Sequence, residues 1–249
     1  MATWRDLEAE LERWRAAGET PTFWWRDDDT QAPTAALDRL IALAERHAAP
    51  LHLAVVPAEI DPGLRPRLEA TEAVYALQHG FAHKNGEPKP LRASEMGEGR
   101  DLALTQADLQ EGWRRLTGAQ LPRTLPVQVP PWNRIGDKVI PHLTAWGYRG
   151  LSSFYARPAR EPVPGLVQVN AHIDPIRWKA GARFAGTEKT LQQCLEHLEA
   201  RREGRADKAE PTGFCTHHLQ TDEATWDFCA AFMAHLKGRI RWIALPEVL

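Results

Sequence analysis

Two hydrophobic rhythms alternate along this chain. Short apolar runs at 22–27 (TFWWRD), 51–56 (LHLAVV), 73–78 (AVYALQ), 125–130 (LPVQVP), 148–153 (YRGLSS), 166–171 (LVQVNA), 212–217 (TGFCTH) and 240–244 (IRWIA) have the length and composition of buried strands. Between them apolar residues recur every three to four positions. Residues 34–48 bring Leu37, Leu40, Ile41 and Ala44 to one helical face, and 105–117, 136–146, 187–203 and 222–237 read as helices too. Thr34 and Thr187 are predicted N-caps. Trp4, Leu7, Leu11 and Trp14 predict an amphipathic helix within residues 1–20, packed on a domain formed by 21–249.

Strands alternating with helices and no long linker predict an α/β single domain: a (β/α) barrel of seven to eight mostly parallel strands. The stretch 79–104 breaks the rhythm, being rich in Gly, Pro and charge. It is predicted to be a long loop, and such loops in compact domains are commonly functional.

A length of 249 residues suits one large domain. The formal net charge of -2 argues against a nucleic-acid partner, which calls for a basic surface. No apolar stretch is long enough for a membrane span, and the charged N-terminus has no signal-peptide core. Cys194, Cys215 and Cys229, an odd count without a C-x-x-C pair, read as reduced structural thiols. Together these features predict a cytoplasmic protein with neither a nucleic-acid nor a membrane partner. The oligomeric state is not legible.

In a parallel barrel, functional residues gather where strands end. The first strand ends in Asp27, Asp28 and Asp29, the third in His79 and His83, the fourth in VPPWN, the sixth in His172 and Asp174, and the seventh in His217 and His218. Three adjacent carboxylates repel one another and resist burial; a bound cation relieves both problems. The four-residue spacing of His79 and His83 lets a helical turn present both imidazoles to one ion. Plainer readings compete: Asp29 capping the next helix, His217 and His218 bonded to backbone, a core tryptophan in a rigid Pro-Pro turn, His172 paired with Asp174. His47, His52, His142, His197 and His235 fall in helical patterns or strand interiors and read as structural.

Taken together, RDDD, HGFAH, VPPWN, DPIRW and FCTH stand in the order of motifs of the polysaccharide deacetylase family, the NodB homology domain, which this chain resembles from about residue 22 onward. The resemblance implies a distorted (β/α) barrel and metal-dependent hydrolysis of an amide C–N bond, most simply deacetylation of an N-acetylated sugar. It implies a divalent metal, zinc foremost, with manganese, cobalt, nickel or iron also suited to such ligands. Asp28 is expected as catalytic base and His217 as general acid. Asp29, His79 and His83 are expected as metal ligands, with Asp27 and Asp28 the alternative base and ligand pair. Trp132, Asn133, Asp174, Trp178 and His218 are expected to contact substrate, with Trp25 adding an apolar wall. The family's arginine in the third motif is replaced by Val129, so Arg26 or Arg177 is expected to partner the base. Two other functions fit the same scaffold: hydrolysis of a cyclic amide, and non-catalytic binding of a sugar or metabolite.

Overall fold

The computed structural model describes residues 1–249. All eight predicted strands form. They are β1 (Thr22–Thr30), β2 (Leu51–Val55), β3 (Val74–His79), β4 (Thr124–Val129), β5 (Gly150–Leu151), β6 (Val167–Gln168), β9 (Thr212–Thr216) and β10 (Arg241–Trp242). A short antiparallel hairpin, β7 (Ile176–Arg177) with β8 (Arg183–Phe184), lies outside the predicted set. The main sheet is parallel throughout, in the order β10-β1-β2-β3-β4-β5-β6, with β9 on the other edge of β1. Past β6 the chain returns to β9: the His172 and Ile173 amides donate to Gly213 O, and Cys215 N donates to Ile173 O. These bonds curl the sheet into a distorted barrel.

Alternation along each strand sorts the side chains. Phe23 and Trp25 of β1, Leu51 and Leu53 of β2 and Ala76 of β3 join a 33-residue apolar cluster shared with the helices. Trp24, Ala54, Leu77, Val127 and Val129 form a second cluster on the opposite face of the sheet. Arg26 and Asp28 follow Trp24 in the same alternation, so two charges are carried on this second face. Trp25 is fully buried between Phe214 and Trp242 and offers no wall to a substrate.

The helices are α1 (Trp4–Ala16), α2 (Ala35–Arg46), α3 (Leu64–Glu69), α4 (Leu102–Gly118), α5 (Thr187–Arg202) and α6 (Glu223–Leu236). In α1 the Thr3 hydroxyl and the Asp6 carboxylate form a capping box. Leu7, Leu11 and Trp14 of this helix are buried in the large cluster. Thr34 caps α2 through a bond from Leu37 N. Thr187 does not cap α5: it is already the first helical residue, and the cap is Gly186, whose φ of 94° an L side chain resists. The helix predicted over 136–146 is replaced by turns around one 3-10 segment, Ile140–His142. Pro141 explains the difference, because it lacks an N–H and its ring clashes with the preceding turn. Between β3 and α4 no helix or strand forms, as the composition of 79–104 predicts.

Candidate active site

The end of β1 points three consecutive aspartates in three directions. Asp27 stays in register on the helix-covered face. One of its oxygens accepts from Thr216 Oγ1 at 2.6 Å and from His218 N at 3.0 Å, and the other meets His218 Nδ1. Asp28 lies on the opposite face. The pairing with β2 then shifts between Asp27 and Thr30, and Asp29 takes a left-handed backbone with φ 70°. That twist swings Asp29 toward β3.

There Asp29 Oδ1 lies 3.2 Å from His79 Nε2 and 3.3 Å from His83 Nε2. The two histidines do not share a helical turn. His79 is the last residue of β3, and the chain reverses through Gly80 (φ 56°) and His83 (φ 53°). His79 Nδ1 donates to Val129 O at 2.9 Å, which leaves Nε2 as the ring's free acceptor. Burial pushes the His79 imidazolium down, but its bond to Asp29 and the charge of Asp28 more than offset this and raise its pKa. Burial likewise works against the Asp29 carboxylate, yet the His79 bond and the surrounding histidines hold it far below the usual carboxylate range. His83 is lowered, by burial first and by His79 second. Ligands about 2.1 Å from one tetrahedral ion stand about 3.4 Å apart, close to the 3.2 and 3.3 Å that separate Asp29 Oδ1 from the two imidazole nitrogens. The donor set of one carboxylate and two imidazoles fits a divalent cation.

Asp28 is gripped by Arg26, two residues earlier on the same strand: Nε stands 2.8 Å from Oδ1, and Nη2 donates to Oδ2 at 3.0 Å. Arg26 is fully buried, and its guanidinium also donates to Ser152 O, Ser152 Oγ, Ser153 O and Asn133 Oδ1. Burial opposes the Asp28 charge, but Arg26 and then His79 and His217 lower its pKa, so it is ionised at neutral pH. Arg177 has no part in this pair; its Nε donates to Lys179 O. Cys215 adds a contact that the sequence reading missed, with Sγ 3.6 Å from Asp28 Oδ2. The available signal was the alternation of β9, which carries Cys215 and His217 on one side.

His217 Nε2 stands 3.8 Å from Asp28 Oδ2. The Trp178 ring meets the His217 ring edge-on at 4.6 Å, and Trp178 Nε1 donates to Asp174 Oδ2 at 2.8 Å. Asp174 also accepts from Ile176 N, so it is not paired with His172. Burial raises the Asp174 pKa while His217 works to lower it. Trp132 covers the other flank, with its ring 4.4 Å from that of His83. Trp132 and Asn133 both hold positive φ, at 56° and 55°. Four non-glycine residues in this region, Asp29, His83, Trp132 and Asn133, thus hold the left-handed conformation, which constrains the backbone on both flanks of the cluster.

Two expected substrate contacts have side-chain atoms held by the protein itself. His218 is buried behind β1 with Nδ1 committed to Asp27, because alternation past β9 turns it away from His217. Asn133 has its oxygen committed to Arg26.

A separate buried group joins His172, His197 and Glu210. It is no cation cradle. The two rings stack at 3.3 Å and 14°, and each Nε2 faces one Glu210 oxygen, at 3.5 and 3.7 Å. His172 Nδ1 accepts from Gly213 N, which puts the ring proton on Nε2, toward Glu210.

No family model matches this sequence, and no curated protein matches it. Solved structures do. A protein named as a polysaccharide deacetylase from Mycobacterium smegmatis superposes with a TM-score of 0.65 at 13% identity, covering 93% of this chain and 89% of its own. The chain adopts the fold of the polysaccharide deacetylases. PuuE allantoinase shares that fold with a TM-score of 0.61 at 13% identity, over 91% of this chain and 88% of the other. An acetyl xylan esterase of Clostridium thermocellum, solved with a cobalt ion, gives 0.52 at 9% identity, over 91% and 89%.

Proposed function

We propose that this protein is a metal-dependent hydrolase of an amide C–N bond, acting on an N-acetylated sugar or a related small molecule. The observation that carries the reading is the convergence of Asp29, His79 and His83 beside the buried, ionised Asp28. Asp29, His79 and His83 would hold the cation, zinc by the chemistry of the donors. The cation would supply Lewis acidity toward the acyl oxygen and acidify bound water.

The chain's own groups supply the proton transfers. Asp28 is the base: its lowered pKa keeps it ready to accept a proton from the attacking water, and Arg26 fixes its orientation. His217 faces the same carboxylate and, as imidazolium, delivers a proton to the leaving amine. Trp132 and Trp178, each substantially exposed, flank the site as apolar walls for a sugar ring or acyl methyl. A cleft of about 850 Å³ lined by Asn133, Ser153 and Gln168 lies beside the site, linked to it through Asn133, which accepts from Arg26.

Several observations support the reading: the deacetylase fold, the cobalt ion in a protein of that fold, and the donor geometry. The allantoinase of similar fold favours one second reading, hydrolysis of a cyclic amide. Three buried, unpaired cysteines suit the reducing cytoplasm proposed as its setting.

The test separates the two aspartates. Asp28→Asn is expected to keep zinc binding and to lose about 10²- to 10⁴-fold in turnover of N-acetylglucosamine oligomers. Asp29→Asn is expected to lose zinc and activity together. Wild-type protein that binds no divalent cation, or Asp28→Asn at full activity, would sink the proposal.

A further inference from the structure

Between the two imidazoles of the cation cluster the chain reverses through Gly80, Phe81 and Ala82. The amides of Phe81 and Ala82 are received by a single carboxylate. Phe81 N donates to Glu95 Oε2 at 2.9 Å, and Ala82 N donates to Glu95 Oε1 at 2.7 Å. Glu95 is 3% exposed and belongs to the long loop between β3 and α4. Its own backbone is tied down on two sides. Glu95 O accepts from Arg100 Nη1 at 2.7 Å, and Arg100 in turn pairs with Asp108 of α4. The next residue, Met96, accepts through its O from Gly136 N at 2.8 Å. The anchor is therefore fixed against both α4 and the chain that follows β4.

The fit around the reversal is close. A Cβ on Gly80 would lie 2.0 Å from Glu95 Oε2 and 2.7 Å from Pro131. The reversal ends in His83 at φ 53°, a left-handed backbone that is uncommon for a non-glycine residue.

We propose that Glu95 is a positioning residue for the cation site: it locks the Phe81–Ala82 turn, and so fixes His83 Nε2 against Asp29 and His79. The assignment rests on the cation reading above. Glu95 forms no hydrogen bond with the cation cluster's side chains; its hydrogen bonds go to two backbone amides, and only its charge reaches His83 through space. A carboxylate suits the task because it offers two acceptors to two parallel donors, and both bonds are charge-assisted.

The substitution Glu95→Gln tests it. The amide is nearly isosteric but turns an NH₂ toward one of the two N–H donors. Zinc affinity is read by equilibrium dialysis, and amide hydrogen exchange at Phe81 and Ala82 is read in chelator, with the melting temperature as control. Expected are about tenfold weaker zinc binding, faster exchange at both amides and an unchanged melting temperature in chelator. Wild-type zinc affinity in Glu95→Gln, with His79→Ala losing zinc, overturns the role of Glu95 and leaves the cation reading standing. A fall in zinc affinity matched by a general loss of melting temperature makes Glu95 a merely structural residue and overturns the proposal. Wild-type protein that takes up no zinc overturns the cation reading and the role of Glu95 with it.

Discussion

Arg26 and Asp28 form a buried ion pair within a single strand, their side chains 0% and 3% exposed and their charged atoms 2.8 Å apart. Removing one partner strands the other charge in the interior. Arg26→Leu is expected to cost about 3–5 kcal/mol. The double variant Arg26→Leu/Asp28→Asn is expected to cost less than the sum of the two single changes, because the uncompensated charge disappears with its partner. Urea unfolding of the four proteins measures the coupling, and strict additivity would mean the pair is not coupled.

His52 has both ring nitrogens engaged: Nδ1 donates to Trp25 O at 2.8 Å, and Nε2 accepts from Leu245 N at 3.0 Å. The ring is fully buried, edge-on to Trp24 and stacked on Tyr75, and no charged group contacts it. Burial pushes its pKa down to about 4 from the ordinary 6.5. Between those values the unfolded chain binds a proton that the folded chain refuses, so stability is full above pH 6.5 and falls as pH drops toward 4. His52→Leu is expected to flatten the slope of stability against pH in that window by about 1.4 kcal/mol per pH unit. Urea midpoints at several pH values give the slope, and an unchanged slope would refute the assignment.

The fold was open to sequence reading because its strands lie in short apolar runs, several of which end in charge. The eight strands and five of the six helices follow from that rhythm. What escaped has local causes. Pro141 turned a helical pattern into turns. The six-residue α3 is too short to show a period. The β7–β8 hairpin has two residues per strand, too few to show an alternation.

At the site, the spacing of His79 and His83 and the run of aspartates announced the residues that converge, but not how they do so. The meeting depends on left-handed backbone at Asp29 and His83, which no residue type there signals. Glu95 was invisible for a related reason: it acts on amides, and an amide carries no sequence signature.

Gly80→Ala is expected to destabilise by at least about 2 kcal/mol. The positive φ costs roughly 1 kcal/mol, and forcing a methyl against Glu95 and Pro131 adds about 1–3 kcal/mol of overpacking. Thermal unfolding in chelator checks the loss, and a wild-type melting temperature would contradict the close fit.

Trp178 is about half exposed, so its replacement is expected to leave stability nearly intact. Trp178→Ala removes an aromatic wall and is expected to raise KM about tenfold. Trp178→Phe, which keeps a ring but loses the bond to Asp174, is expected to fall between. Steady-state kinetics on the N-acetylglucosamine oligomers separates the two, and equal KM in all three proteins would remove Trp178 from the substrate wall.

The twist that follows Asp27 has a consequence for how this protein can change. In the proposed mechanism four successive residues, Arg26 to Asp29, serve as the counterion, a back-side anchor, the base and a ligand, and only the strand's alternation and one left-handed step keep them apart. Changes in length in the loops would reshape what enters the cleft without moving this quartet. Loss or gain of a single residue inside it would rotate every carboxylate into its neighbour's task. The substrate is thus free to drift while the chemistry is held fixed.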